Sequence, residues 1–367
     1  MLKNQKDVQN ASEQYGVPLE DVQFIDLNCC GVSIELPYSR VRFRLSEHNP
    51  HFKLSKEMGV SDYFFGLPVR YNSPYQISGD QKYLFFNNEV IGDVNELAND
   101  TCDSTYPRRG GTVLNLNANS KSSCHGCAFC HTIKQTPRDR EGLRDREGLR
   151  KLADRWLEAY HTPDLSHLTQ VAVVTGCFGS EEEVLEHLQL AREVLREYGY
   201  SGELFYFGSE INQEKSLDML KSNADPFAFC ISLECFENRD RILRDKKREI
   251  TIEDAKRLMQ HSKALGFPTN FSYIVGIEPI DTMDRGFQEM LLYTSRFPVI
   301  NVFQPHYDGH EKLRAPQAEN IEYYLEARKI LEDIFKGRGM KPRPWENYRS
   351  LWYLTFGDEP LGGVRTP

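Results

Sequence analysis

Apolar and polar positions follow two rhythms along this chain, and the change falls near residue 105. Before it, short runs such as "VQFIDLNCC" (22–30), "VSIEL" (32–36) and "RVRFRLS" (40–46) come near to alternating apolar with polar residues, the period of a half-buried strand. "KYLFFNNEVIGDV" (82–94) reads as a hairpin turning at Asn87 and Asn88. A β-rich module is expected over 1–105, followed by a Pro/Gly-bearing linker, "DSTYPRRGG" (103–111). From Thr112 short apolar runs are separated by charged stretches of helical period, the mark of repeated βα units and a parallel sheet. The six strands expected are "TVLNLNA", "QVAVVTG", "GELFYFGSE", "FAFCISLECF", "PTNFSYIVGIE" and "VINVFQPHY". Ser180 and Glu183 are spaced as a capping box opening a helix that stops at Gly199, and a second helix is framed by Thr251 and Gly266.

Two segments stand outside this rhythm. The tandem hexamer "DREGLRDREGLR" (139–150) is expected to be a solvated helix start with no chemistry of its own. The aromatic tail "GRGMKPRPWENYRSLWYLTFGDEPLGG" (337–363) reads equally as a flap over a site and as packing.

Composition narrows the classes. With Lys+Arg 45 against Asp+Glu 54, a net charge of -9 gives no global field to collect nucleic acid or anionic lipid. No apolar run approaches the roughly 20 residues of a membrane span, and the first residues lack the apolar core of a signal peptide. A soluble cytoplasmic protein is expected, with neither nucleic acid nor membrane as partner. Nine cysteines in such a chain are better explained as buried thiols or metal ligands than as a disulfide framework. Cys230, inside an apolar strand, is expected to be a small core hydrophobe.

Three cysteines are different. "SSCHGCAFCHT" (122–132) places Cys124, Cys127 and Cys130 at three-residue intervals on a loop just past the first strand, at the end where α/β sheets and barrels keep their ligand sites. Three thiolates this close can wrap one face of a cubane iron–sulfur cluster and leave its fourth iron without a protein ligand. Zinc is the competing metal, with His125 or His131 as a fourth ligand, although no second CxxC exists.

The order of strand, cysteine triplet with Phe129 before the last cysteine, and further βα units resembles the radical S-adenosylmethionine enzymes, particularly the branch of biotin synthase and its relatives. The resemblance covers about residues 110 to 335. It implies a partial (βα)6 TIM-like barrel over 106–336, with 1–105 as accessory module and 337–367 as tail or flap. It also implies a [4Fe-4S] cluster on Cys124, Cys127 and Cys130, and S-adenosylmethionine cleaved to a 5'-deoxyadenosyl radical. A reducing partner such as flavodoxin or ferredoxin follows from that chemistry. Carried over position by position, Thr175 and Gly176 correspond to the segment that meets the methionyl amino group, where only one glycine matches, and Phe129 accompanies the cluster. Glu234 corresponds to the acidic ribose contact and Arg239 to the partner of the methionyl carboxylate, an assignment that suits an Arg fork. Ile274 and Gly276 correspond to the adenine contact, with Ser272 in place of the family's first glycine. The cysteine motif departs in its first gap, which holds two residues where the family commonly has three. Glu210, His306, Tyr307 and His310, at the ends of late strands, are the candidates for catalytic contact with substrate, and a solvent-facing loop role is open for each. A small-molecule substrate is expected; peptide modification and a non-catalytic zinc or iron–sulfur scaffold are the alternatives.

Overall fold

The structure is a computed structural model that describes residues 2–34, 40–45, 52–58, 68–70, 72–98, 101–102, 104–118, 126–131, 136–137, 142–174, 178–347 and 349–361. The chain opens with two helices rather than strands. Helix α1 (Gln5–Tyr15) starts where Asn4 accepts the Asp7 N–H at 3.0 Å and stops at Gly16 in the left-handed region. Helix α2 (Leu19–Cys30) covers "VQFIDLNCC", and this corrects the expectation of a strand. Its polar residues do not face water: Glu20, Asp21, Gln23, Asp26 and Asn28 are all buried. Asp21 pairs with Arg328 at 2.6 Å and Asn28 accepts from Gln304 at 2.8 Å, so the helix is buried around its circumference.

Strand β1 (Arg40–Leu45) and helix α3 (Lys53–Glu57) follow, then β2 (Tyr75–Ile77), β3 (Tyr83–Phe86) and β4 (Glu89–Ala98). The four strands form an antiparallel sheet in the order β1-β4-β3-β2. The hairpin turns at Asn87 and Asn88, whose φ of 48° and 67° suit a two-residue loop of matching twist.

The next stretch pairs β5 (Thr101–Cys102) with a distant β8 (Thr136–Pro137). The expected linker contains an edge strand instead, β6 (Thr105–Arg108), antiparallel to β7 (Val113–Leu116) across a turn in which Gly110 and Gly111 have positive φ. The βα rhythm then runs as read: α4 (Arg146–Tyr160), β9 (Gln170–Val173), α5 (Glu181–Glu197), β10 (Glu203–Gly208), α6 (Glu214–Asn223) and β11 (Phe227–Glu234). Two short helices, α7 (Arg239–Ile242) and α8 (Asp245–Glu249), precede α9 (Ile252–Ala264) and β12 (Thr269–Val275). The chain closes with α10 (Ile280–Met290), β13 (Val299–Val302), α11 (Asp308–Glu311), α12 (Ile321–Phe335) and the pair β14 (Thr355–Phe356) and β15 (Glu359–Pro360). Helix α9 carries a complete capping box, Thr251 with Asp254, and α5 is capped by Ser180.

The large sheet runs β13-β12-β11-β10-β9-β7-β6, with β7, β9, β10 and β11 parallel in register. Strands that follow one another in chain order mark a singly wound, barrel-type α/β sheet rather than a doubly wound one, whose order reverses at a switch point. Two compact units divide the chain: 1–100, 273–289 and 299–366 in one, 101–272 and 290–298 in the other.

Register assigns the faces of the sheet in the second unit. Tyr206 lies beside Val173 and Phe229, and Phe229 donates its N–H to Pro268. The neighbouring Thr269 hydroxyl meets Ser262 of α9 at 2.7 Å, so this is the helix-covered face. Phe205, Cys230 and Ser232 point the other way. At the amino end of that opposite face, Arg296 binds Glu203 at 2.7 Å and lies 5.4 Å from the Phe205 ring centroid. Cys230 is fully buried, as expected of a core thiol.

The second copy of the hexamer opens α4 with Asp145 as cap, and its Arg146 and Arg150 reach Glu193 and Glu197 of α5. These exposed pairs contribute little individually and serve to clip two helices together. In the tail, Leu351, Trp352 and Leu354 are fully buried, and Arg328 bonds Leu351 and Thr355 carbonyls, which makes this part of the tail packing. Among the described residues, no helix is long and apolar enough to cross a membrane.

Candidate functional site

The cysteine loop enters the described residues at Gly126, whose φ of 76° makes a bend that a side chain disfavours. A tight turn follows, closed by the Cys130 N–H on the Cys127 carbonyl at 2.9 Å. The Ala128 N–H donates to the Ile242 carbonyl at 2.8 Å and ties this turn to the end of α7. Both thiols are free, Cys127 buried and Cys130 half-buried. Burial pushes the Cys127 thiol up, while the Lys247 charge and the Arg244 backbone oppose the rise. Cys124, His125, Thr175 and Gly176 lie outside the described residues. Among the described residues, no three His, Cys, Asp or Glu side chains gather as a metal-holding group.

Beside the turn, β11 ends on Glu234, a buried residue in the left-handed region at φ 67°. A non-glycine residue there costs of order 1–3 kcal/mol and persists only where its surroundings hold it. Its side chain meets Lys247 of α8, whose Nζ lies 2.5 Å from a Glu234 oxygen and 5.9 Å from the Phe129 ring centroid. Burial disfavours the ammonium, but Glu234 and then Cys127 outweigh it, so Lys247 is held well above its ordinary range and stays charged.

Arg239 stands on the same segment and does something other than expected. Its two terminal nitrogens donate to the carbonyls of Leu233 at 2.8 Å, Cys235 at 2.7 Å, Lys247 at 2.9 Å and Ile250 at 2.9 Å. All four terminal N–H groups are committed to backbone, so the guanidinium is a clamp joining the end of β11 to α8. Among the described residues, a cation beside the turn is Lys247, 5.9 Å from the Phe129 ring centroid, and sequence reasoning missed it. Its only signal was a position in a charge run, "RDKKRE" (244–249), that reads as a solvated face.

Glu210 is buried past β10, where one carboxylate oxygen accepts from the Tyr206 hydroxyl at 2.5 Å and the Ser209 N–H at 3.0 Å. Tyr206 belongs to the helix-covered face, so Glu210 closes a local loop against its own strand. Together, the structure brings Cys127, Phe129, Cys130, Glu234 and Lys247 to one corner of this unit and leaves Glu210 engaged elsewhere.

The remaining candidates belong to the other compact unit. Gly276 has φ 111°, and a Cβ there would come within 2.9 Å of the Tyr324 hydroxyl, so the backbone conformation and the close tyrosine both require glycine. Its carbonyl accepts the Ala315 N–H at 2.9 Å, and Ile274 is buried two residues before it. His306, Tyr307 and His310 pack on one another: the His306 N–H donates to His310 Nδ1 at 3.4 Å, and the Tyr307 and His310 ring centroids are 3.8 Å apart. His310 is buried and Tyr307 is exposed.

No protein-family model and no curated protein matches the chain. Among solved structures it is similar to Streptococcus suis SuiB bound to S-adenosylmethionine, with 9% identity, a TM-score of 0.41 and coverage of 62% of this chain and 48% of that one. It is also similar to TsrM from Kitasatospora setae, a radical S-adenosylmethionine methyltransferase with cobalamin and a [4Fe-4S] cluster bound. There the identity is 13%, the TM-score 0.35 and the coverage 49% and 32%. The arginine decarboxylase of Paramecium bursaria Chlorella virus matches at 12% identity and a TM-score of 0.29, over 55% of this chain and 56% of that one. The chain spans about half the length of SuiB, 48%.

Proposed function

We propose that the chain is a radical S-adenosylmethionine enzyme acting on a small molecule. The observation that supports this most is the meeting of the cysteine turn with the strained, buried Glu234 and its charged partner Lys247 at the carboxyl end of a sheet strand. A structural metal clip has no use for a buried acid held in a left-handed conformation beside it.

The donor chemistry fits an iron–sulfur cluster. Cys127 and Cys130 offer two reduced, soft thiols on one turn, and Cys124 of the same motif would be the third ligand. When bound, the cluster supplies the electron that cleaves S-adenosylmethionine to a 5'-deoxyadenosyl radical. The chain's own residues do the rest. Glu234 offers acceptor oxygens to ribose hydroxyls, and Lys247 is the cation it would share. Phe129 packs beside that cation, and Arg239 fixes the backbone on both sides of the acid–base pair. Ile274 and the bare backbone at Gly276 suit the adenine. His306, Tyr307 and His310 are proposed to meet the substrate, and a reducing partner such as flavodoxin or ferredoxin is the proposed electron donor. The N-terminal residues place two helices before their hairpin, whereas a peptide-leader module is expected to place a hairpin before helices, which favours a small-molecule substrate.

The test is anaerobic reconstitution with iron and sulfide, metal analysis, reduction in the presence of S-adenosylmethionine, and mass spectrometry of the products beside a Cys127→Ala control. Formation of 5'-deoxyadenosine that vanishes in the control supports the reading. Zinc in place of iron, with the cofactor intact, overturns it.

A further inference from the structure

We propose that Lys247 is a positioning residue that sets the reduction potential of the metal centre on the cysteine turn, with Glu234 as its counterweight; this rests on the function proposed above. Lys247 is the cation placed among the groups that matter there. Its Nζ meets Glu234 at 2.5 Å and lies 5.9 Å from the Phe129 ring, which sits between Cys127 and Cys130 on the turn. It is also held from behind. Arg239 grips the Lys247 carbonyl at 2.9 Å with the same guanidinium that grips Leu233, the residue before Glu234. Acid and base are therefore fixed to each other through backbone as well as through the ion pair.

The electrostatic consequence has a definite sign. One-electron reduction adds a negative charge to a thiolate-ligated centre, so a fixed ammonium nearby favours the reduced state and a fixed carboxylate disfavours it. In a chain of net charge -9 there is no general positive field to take over that task. Removing the cation must make the centre harder to reduce, and removing the carboxylate's charge must make it easier.

The experiment is a dithionite titration of the reconstituted full-length protein followed by electron paramagnetic resonance, without substrate. For Lys247→Met we expect the reduced-to-oxidised ratio at the wild-type midpoint to fall about tenfold, a shift of about 59 mV to more negative potential for one electron. Glu234→Gln is expected to shift it in the opposite direction, and Lys247→Arg to leave it near wild type. Opposite signs from the two members of one ion pair are not produced by general loosening of the site. Should Lys247→Met fail to hold iron, retention by Lys247→Arg supports the role, whereas equal loss in both overturns it. Shifts of the same sign, or none, overturn it while leaving the proposed function intact. A wild-type protein that assembles no cluster removes the proposed function and this inference together.

Discussion

Glu210 and Glu234 stand at the carboxyl ends of neighbouring strands, β10 and β11, and both are buried. Glu210 turns back on its own strand to take the Tyr206 hydroxyl and the adjacent Ser209 N–H. Burial and the Glu210 charge push the Tyr206 hydroxyl well above its ordinary range, so it remains a donor. Glu234 adopts φ 67° and reaches a lysine on another element, next to two thiols. Position at a strand end and burial are therefore shared by a carboxylate that closes a local loop and one that meets a cation beside the cysteine turn. What separates them is the partner: a neutral neighbour four residues away in one case, a charged group brought from a separate helix in the other.

The comparison breaks first at the thiols. Replacing Cys127 by Ala should reduce the iron retained after reconstitution and desalting to background, as measured by elemental analysis. Full retention would detach Glu234 and Lys247 from any metal and leave them a buried ion pair like others. The next largest effect is expected at Arg239. Arg239→Met strips the charged donor from four carbonyls and should lower unfolding free energy by about 4 kcal/mol in denaturant titrations. Arg239→Lys keeps the charge but loses the fork, and should recover little of that stability. If lysine restores stability fully, the clamp is not what fixes Lys247, and the distinction between the two strand ends loses its mechanical basis.

How much of this was legible depended on whether a signal was local. The Asn87–Asn88 hairpin, the Thr251 start of α9 and the six apolar runs that form strands from Val113 to Val302 are marked by residues close together in sequence, and the pattern revealed them even though the strands pair with distant ones. "VQFIDLNCC" misled because polar residues at alternating positions normally face water. Here Asn28, and Asp21 just before the stretch, find Gln304 and Arg328, 276 and 307 residues later, and nothing local announces such partners. "DSTYPRRGG" (103–111) read as linker because proline and glycine punctuate it, yet an edge strand tolerates proline, and Pro107 sits opposite Leu114 in register. At the site, the cysteine motif and Glu234 were visible as residue types at strand ends. Lys247 was not, because its role is created by the Arg239 clamp rather than by spacing.

Asp26 extends the comparison to a carboxylate whose donors among the described residues, the Leu2 N–H and the Tyr75 hydroxyl, are neutral. It accepts from the Leu2 N–H at 3.3 Å and the Tyr75 hydroxyl at 3.0 Å, and burial pushes it up to about 6. Its folded value lies above the ordinary 3.8, so the folded state holds the proton more tightly than the unfolded state. The associated stability is complete below about pH 4 and is lost as pH rises through 6, amounting to about 3 kcal/mol over that window. Asp26→Asn should remove this dependence. Relative to wild type, its stability should rise by up to that amount between pH 4 and 7 in denaturant titrations at several pH values. An unchanged profile would mean that the neutral donors suffice for a buried carboxylate, and would weaken the argument that Glu234 needs its lysine.

The smallest expected effect is at Tyr206, and it tests the other half of the comparison. Tyr206→Phe removes the hydroxyl that donates to Glu210 at 2.5 Å and keeps the ring that stacks on Phe229, with centroids 6.3 Å apart. A hydrogen bond to an ionised acceptor contributes about 2 kcal/mol, so the midpoint of unfolding should fall by that equivalent. The yield of 5'-deoxyadenosine and the reduction potential should not move, because Tyr206 lies on the helix-covered face and its loop closes on itself. A lost yield with normal stability would place Glu210 among the reacting groups after all. In that case the charge of the partner would no longer distinguish a working carboxylate from a structural one, and conformation alone, the φ of Glu234, would have to carry the distinction.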